Sequence, residues 1–514
     1  MSKNSIIVDN NQRPQEAEYC GSKFAFWALI FIVGYFLCEA LFVSFISNGA
    51  GLDDAEQLAN ISFFDWGYGG SQPPLYTWIL IAATSVFGTH FFVLQLVKFS
   101  ILGSLFLSVY FGLRNLKVRL LVAASAMLGI FLLPQIAWES QRALSHSVLG
   151  TASCGWFFWA MTRYMHRQSV VNAILVGFCI AVSVLGKFND IIFIVAILMA
   201  SLSFKQGRKC LFQLKTLLIL TTAAILLYKP LCWIIAHLHA TLERSNKFGV
   251  ASQHSFIIKR LLGAEELVHA VFAFGGLAFI VALVVYLFNR PIQNGLDYTE
   301  TEEFAAKFIG RVLGFGLLIV FISIILSGST QVKDRWMQPV LILCPAYFSI
   351  MLFYYTRKIR ALISYGVCGI IVALMVPIVL FFSLHQGSGR HLPLGLLDYN
   401  LLYSTIEKEG PIATIVSPNT KYAGNLRLYN PDIKVVHNET VNAEQRLQFP
   451  LLILDDIDAD KLKDPEAYGQ AFKGSLGEYI YRLTYKAGPK AKTIKIAYKG
   501  HPDQFKIFRY FYIP

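Results

Sequence analysis

The chain has 514 residues, 55% of them hydrophobic and 15% charged, and a mean hydropathy of +0.51, which leaves more apolar surface than a soluble fold can cover. A net charge of +13 would suit nucleic acid if the cations shared one soluble face. They sit instead in short loops between apolar runs, so membrane topology explains them and no nucleic-acid partner is expected. The eight cysteines show neither disulfide-framework nor metal-ligand spacing.

Residues 1–23 precede the first apolar run, Phe24–Ile46. That run is long enough for a bilayer core, which takes about 20 residues. It lacks a short h-region and an A-x-A-like cleavage site, so it reads as an uncleaved anchor. Further runs at 91–112, 120–134, 147–162, 170–186, 190–204, 216–236, 267–288, 312–327, 339–355 and 361–384 bring the expected spans to about 11. The segment "PPLYTWILIAATSVFG" at 73–88 is shorter, and the positive-inside rule places it. If it is an interfacial helix, every alternate loop is basic, through Arg114, Lys117 and Arg119, then Arg163 and Arg167, then Lys205 to Lys215, and later Arg290 to Arg311 and Arg357 to Arg360. The N-terminus is then cytoplasmic, residues 24–384 form the transmembrane domain with a first outer loop at 47–90, and residues 385–514 stand on the outer face.

The unusual polar sequences all fall in the outer set of loops. They are "DDAEQ" at 53–57, "QPPL" at 72–75, "WESQRALSH" at 138–146, "GKFND" at 186–190, "ERSNKF" at 243–248 and "STQVKDRW" at 329–336. A site assembled from several loops of one face is what a bilayer-embedded enzyme or a gated pathway needs. Beyond residue 385 the composition changes. The runs "PIATIVS", "DIKVVH", "FPLLILDD", "EYIYRLTY", "KTIKIAY" and "FKIFRYF" read as strands, with helices over 400–408 and 461–472. A small C-terminal α/β domain is expected, with no nucleotide-binding glycine motif. The acids of "DDIDAD" at 455–460 lack the glycine and terminal glutamate of a calcium loop and read as solvated.

Asp53, Asp54 and Glu56 are the candidate catalytic acids. Helical spacing lets Asp53, Glu56 and Gln57 share a face while Asp54 points elsewhere. The plain alternative is a solvated helix start whose acids complement its dipole. A carboxylate at a low-dielectric boundary holds its proton more tightly, which suits a general base. The prolines of "QPPL" stiffen the backbone ahead of a helix. Arg142, Lys187, Arg244, Lys247, Lys333 and Arg335 are cations on the outer face, against the topological trend. For any one of them an ion pair or a lipid headgroup is as good an account as a substrate, but together they favour a phosphate-bearing ligand. His146 is a candidate substrate contact or a helix-end residue. Trp66 and Tyr68 fit an aromatic belt as well as a sugar-stacking surface.

These residues resemble the membrane GT-C glycosyltransferases of the dolichyl-phosphate-mannose-protein mannosyltransferase superfamily. The carriers are Asp53-Asp54-Ala55-Glu56, Trp66-Gly67-Tyr68, Gln72-Pro73-Pro74-Leu75, Lys187 and Lys333-Asp334-Arg335-Trp336. Within that superfamily the chain looks most like bacterial lipid A aminoarabinose transferases and rhizobial lipopolysaccharide core galacturonosyltransferases, over roughly Phe24–Phe382. The resemblance implies a polyprenyl-phosphate sugar donor, a lipid A, lipopolysaccharide core or other envelope glycan acceptor, inversion at the anomeric carbon, and reaction at the periplasmic face of the bacterial inner membrane. Asp53 takes the place of the catalytic first-loop aspartate. Asp54 stands where many members have glutamate, Gln72 where other branches have lysine or histidine, and Ser147 where an acid often follows the histidine.

The implied site has Asp53, Asp54 and Glu56 as catalytic acids. Lys187, Lys333, Arg335, Arg142 and Lys247 meet the donor phosphate, and Gln72, Tyr68, Trp66 and His146 contact acceptor or sugar. Cations on the leaving phosphate do what a metal does elsewhere, so no cofactor is expected, with a divalent metal left open. The alternative from another class is a lipid-linked glycan flippase or transporter, for which the many spans and the intramembrane Lys187 speak. An inactive scaffold presenting the C-terminal domain is the blandest reading.

Overall fold

The structure is a computed structural model that describes residues 12–69, 73–237, 255–289, 297–386, 392–457, 472, 474–486 and 491–514. Gln72, Arg244, Lys247, Asp458 and Asp460 lie outside the described residues, as does nearly all of the helix expected over 461–472.

The protein is a multi-pass membrane protein. Six helices are each long and apolar enough to cross a bilayer: Glu18–Ile46, Phe91–Asn115, Lys215–Ala236, Ile257–Phe288, Glu300–Ser327 and Ile359–Gln386. Three further pairs qualify only as bent spans, Leu120–Leu132 with Gln135–Arg142, Phe188–Leu202 with Lys205–Leu211, and Asp334–Leu341 with Cys344–Thr356. The count among the described residues is therefore six to nine, where the apolar runs led us to expect about 11. Two runs make the difference. The run at 147–162 lies in the continuous helix Ser145–His166, which carries buried Ser147, Thr151 and Ser153 and falls short of the apolarity the others reach. Val170–Gly186 has only 17 residues. The segment after the double proline forms the helix Leu75–Phe87 of 13 residues. At 1.5 Å per residue it reaches about 20 Å, short of a core of about 30 Å.

Small residues let the central helices meet closely. A Cβ on Gly112 would stand 2.4 Å from Phe158, and one on Gly155 would stand 2.3 Å from the Ser108 hydroxyl. Bulk at either position would force apart the helices Phe91–Asn115 and Ser145–His166, whose N-terminal ends carry polar side chains.

The C-terminal sheet has five strands, β1 (Thr414–Val416), β2 (Lys434–Val436), β3 (Leu451–Ile457), β4 (Lys492–Tyr498) and β5 (His501–Ile513), in the order β2-β1-β3-β5-β4. The first three pair in parallel and the last two antiparallel, with Ile415 opposite Leu452 and Leu452 opposite Tyr512. Alternation along the strands sends Ile415, Leu452 and Leu454 to one face, where they meet Leu402, Ile406, Tyr422 and Leu426. Val416, Leu451 and Ile453 go to the other, against Leu476 and Ile480. The run "EYIYRLTY", expected as a strand, lies in the helix Gly474–Lys486. Its aromatic and branched composition imitates a strand, but Leu476, Ile480 and Leu483 fall three or four apart and supply one helical stripe to the sheet.

This domain is docked directly on the first loop, whose helix Leu52–Asn60 we call the loop helix. Ala59 of that helix joins the buried core of the C-terminal domain. The Asn425 side chain brackets Ala50 as a neighbouring strand would, its Oδ1 accepting from the Ala50 N–H at 2.7 Å and its Nδ2 donating to the Ala50 carbonyl at 3.1 Å. Arg427 donates to the Leu58 carbonyl at 2.7 Å, and Arg446 holds Asp65 through two bonds of 2.7 Å. The contact is closest at Gly424, where a Cβ would stand 2.0 Å from the Ala55 carbonyl oxygen. Gly424→Ala is expected to cost about 1–3 kcal/mol of stability and to lower activity, whereas Gly51→Ala, with nothing within 4 Å, leaves the melting temperature unchanged. Thermal unfolding of the purified variants checks this; equal melting temperatures for both would contradict the docking.

Candidate active site

The loop helix begins at Leu52 with Asp53 and Asp54 in its first turn, where carboxylates complement the helix dipole. Asp54, Ala55, Gln57, Leu58, Ala59 and Asn60 are buried, so this is no solvated helix start. Its polar side chains grip three successive residues at the head of the helix Ser145–His166. Asp53 Oδ2 accepts from the Leu144 N–H at 2.7 Å. Asp54 Oδ1 accepts from the Ser145 hydroxyl at 2.8 Å, and its Oδ2 accepts from Gln95 Nε2 at 3.0 Å. Gln57 Nε2 lies 2.8 Å from His146 Nε2, and Thr77 donates to Gln57 Oε1 at 2.8 Å.

The Thr77 bond orients the Gln57 amide so that its NH2 donates to His146, which puts the imidazole proton on Nδ1. That buried nitrogen has no partner among the described residues. Leu144 itself stands at φ 64° and ψ 42°, a left-handed corner that costs a residue with a Cβ about 1–2 kcal/mol. The charge-assisted bond to Asp53 offsets that cost.

Asp54 was expected to point away from its neighbours, and the structure corrects this. Both aspartates reach the same corner, because the chain folds back so that Leu144 and Ser145 pass along two sides of the helix start. Asp53 stays partly accessible while Asp54 is buried. Burial holds the Asp53 carboxyl above the ordinary carboxylate range. The Leu144 N–H opposes that shift, the neighbouring Asp54 adds to it, and the charges of Lys98 and Arg335 pull it back down.

The cations come from two other segments. Lys187, at the break between Val170–Gly186 and Ile191–Leu202, donates to the Ser147 hydroxyl at 2.8 Å. Gly150 makes room for it, since a Cβ there would stand 2.7 Å from Lys187 Cβ and from Asp190 Oδ2. Arg335 follows Asp334, whose carboxylate accepts from Gln135 at 2.6 Å and fixes the turn. The Arg335 guanidinium makes no ion pair among the described residues, and its charge acts on both Asp53 and Lys187. Lys333 is exposed beside it.

Other candidates are held elsewhere. Arg142 pairs with Glu139 at 2.8 Å. Tyr68 donates to the Phe63 carbonyl at 2.8 Å and shapes its own loop. Trp66 packs edge-on against Trp78 with ring centres 5.5 Å apart, and is 42% exposed. Glu56 is half-buried one turn beyond Asp53. Among the described residues no group of three or more His, Cys, Asp and Glu side chains is placed to hold a metal ion.

Reading the sequence missed Lys98. Its ammonium is buried, donates to the Gln141 carbonyl at 3.1 Å and acts on the charge of Asp53. The signal was present in "FFVLQLVKFS", where Gln95 and Lys98 stand three apart in an apolar span. Two polar side chains on one face of such a helix need a shared polar target. Asp190, buried beside Lys187 with one carboxylate oxygen unpartnered among the described residues, was missed too.

This bundle of broken and continuous spans, with an acid-bearing first loop capped by the C-terminal domain, is similar to membrane glycosyltransferases of the GT-C type. Residues 71–233 match the family model for dolichyl-phosphate-mannose-protein mannosyltransferase. The chain is similar to the lipopolysaccharide core galacturonosyltransferase RgtB of Rhizobium johnstonii, 26% identical over 502 residues, 95% of this chain and 97% of the relative. It is also similar to RgtA of the same organism, with the same described activity, 25% identical over 79% of this chain and 81% of the relative. Its fold matches the crystal structure of ArnT from Cupriavidus metallidurans bound to undecaprenyl phosphate, at a TM-score of 0.57 and 10% identity, over 94% of this chain and 98% of that one.

The two adjacent aspartates are expected to respond oppositely to substitution. A carboxyl whose folded pKa is raised gives stability that is fully present below its unfolded pKa of about 3.9 and is lost as pH rises through the folded value. Asp53→Asn keeps an oxygen for Leu144, so it should match the wild type near pH 3.5 and melt higher at neutral pH. Asp54→Ala strands Ser145 and Gln95 and should cost about 1–3 kcal/mol. Melting curves at the two pH values check both, and destabilisation by Asp53→Asn at neutral pH would contradict the first.

Proposed function

We propose that this glycosyltransferase moves a sugar from a polyprenyl-phosphate donor to a lipopolysaccharide core, lipid A or other envelope glycan acceptor. The reaction takes place at the periplasmic face of the bacterial inner membrane, with Asp53 as general base. The observation that carries the reading is the position of Arg335, whose charge acts on both Asp53 and Lys187. A candidate base and a pair of candidate phosphate-binding cations are therefore electrostatic neighbours, although the cations lie 134 and 282 residues along the chain from Asp53. The activity named for the two rhizobial relatives supports the acceptor class, and the undecaprenyl phosphate in the ArnT crystal supports the donor class.

The chemistry needs little more than these groups. An acceptor hydroxyl attacks the anomeric carbon from the side opposite the phosphate, and Asp53 takes its proton. The bond from that carbon to the phosphate oxygen breaks, and the electron pair leaves with the lipid phosphate, so the configuration inverts without a covalent enzyme intermediate. Lys187, Arg335 and Lys333 meet the phosphate and stabilise the charge that grows on it. Lys98 holds the carbonyl of Gln141 ahead of the Leu144 corner and keeps Asp53 ionised enough to act as a base. The unpartnered Nδ1–H of His146 is available to a sugar or acceptor oxygen. Asp54 and Gln57 position and do not react.

Asp53→Asn, with the Leu144 bond retained, is expected to lower transfer at least about 100-fold. The assay uses a polyprenyl-phosphate sugar and extracted lipopolysaccharide with the purified full chain in reconstituted membranes. Wild-type transfer by a folded, inserted variant would overturn the assignment. Lys187→Met should raise the KM for the donor far more than the KM for the acceptor, and an equal effect on both would remove it from the phosphate.

A further inference from the structure

The far end of the bundle holds a lateral cleft that the candidate site does not use. A cavity of about 870 Å³ lies between the helices Glu300–Ser327 and Cys344–Thr356. A second, of about 440 Å³, lies between Glu300–Ser327 and Phe256–Phe288. Both are lined by Gly314 and Leu318, so the two continue into one another along a single helix. The C-terminal end of that helix leads to Lys333 and Arg335 at the candidate site. The lining residues Glu303, Lys307 and Arg311 therefore belong to the opposite membrane surface.

The cleft is amphipathic along its length. Lys307 and Arg311 stand at its mouth with Tyr354 and Tyr355. Lys307 pairs with Glu303 at 2.5 Å, but both side chains are more than half exposed, and one positive charge is left over among the three ionic groups. Arg311 is held in place, donating to the Ser203 carbonyl at 3.1 Å and hydroxyl at 2.7 Å, with its guanidinium 4.1 Å above the centre of the Phe204 ring. Deeper in, the lining turns wholly apolar, with Phe315, Leu318, Phe321, Val271 and Phe272. From Arg311 to Phe321 the helix rises about 15 Å. That is half of a hydrocarbon core of about 30 Å, the depth of one leaflet.

A cationic mouth at headgroup level above an apolar trough one leaflet deep has the shape and charge of a lipid. We propose that this cleft binds one anionic glycerophospholipid, with its phosphate on Arg311 and Lys307 and an acyl chain lying over Gly314. An arginine held by other contacts suits a phosphate, because little further ordering is needed to meet it. Gly314 supplies the floor. Nothing lies within 4 Å of where its Cβ would stand, so the space above it is open. The proposal is independent of the sugar-transfer reading, since it concerns the opposite surface and residues outside the candidate site.

The test uses the purified full-length chain in mixed micelles with equimolar phosphatidylglycerol and phosphatidylcholine, read by native mass spectrometry. The wild type is expected to retain one phosphatidylglycerol per chain at least tenfold over phosphatidylcholine. Gly314→Leu, whose Cβ enters open space and whose longer side chain fills the trough, should lose that retention while the variant stays folded. Lys307→Gln together with Arg311→Gln should equalise the two lipids. Equal retention of the two lipids by the wild type would overturn the proposal, as would undiminished retention by Gly314→Leu. The wild-type competition decides the matter even if a variant folds poorly.

Discussion

The candidate site depends on the grip of one short helix on one corner of the chain. Asp53, Asp54 and Gln57 take the Leu144 N–H, the Ser145 hydroxyl and the His146 ring in succession. Each bond is buried or nearly so, where an unmade partner costs more than a made one gains. The grip therefore fixes the register between the first loop and the helix Ser145–His166. Through Ser147 the same helix holds Lys187, and through Thr151 it reaches Gln338 at 3.1 Å. One helix head thus sets the spacing between the proposed base and the proposed phosphate cations.

The C-terminal domain completes this arrangement from outside. A helix of nine residues is too short to be stable by itself. It persists because the bundle covers Leu58 on one side and the domain covers Ala59 on the other. Asn425 and Arg427 then satisfy the backbone of Ala50 and Leu58 where the helix could not. The domain carries no nucleotide-binding motif, and its contacts give it a role in positioning the loop helix. Because these contacts join the two, the first loop and the C-terminal domain lie on the same side of the bundle.

Much of this was legible in the sequence, and the failures share a cause. Apolar runs and basic loops gave the multi-pass character and the short helix after the double proline, because both are local properties of composition and length. The acids of the first loop and the late "KDRW" stood out as charges where the local pattern had no use for them. What stayed hidden was set by tertiary partners. Asp54 was expected to diverge because helical geometry alone cannot show that Ser145 and Gln95 approach from the other side. "EYIYRLTY" read as a strand because composition was weighed ahead of the spacing of Leu476 and Ile480. Lys98 was passed over inside an apolar run, where only the presence of Gln95 one turn earlier marked it.

The central claim is that Asp53 accepts the proton and that Arg335 acts on it through space. The pH dependence of kcat/KM for sugar transfer tests this most directly, measured on the wild type and on Arg335→Gln. The wild-type rate should rise with pH through a pKa above the ordinary carboxylate value. Because the Arg335 charge pulls that pKa down, its removal should move the limb to higher pH, beyond any change in the plateau. A limb that stays in place when Arg335 is neutralised, or one that persists in the residual activity of Asp53→Asn, would contradict the account.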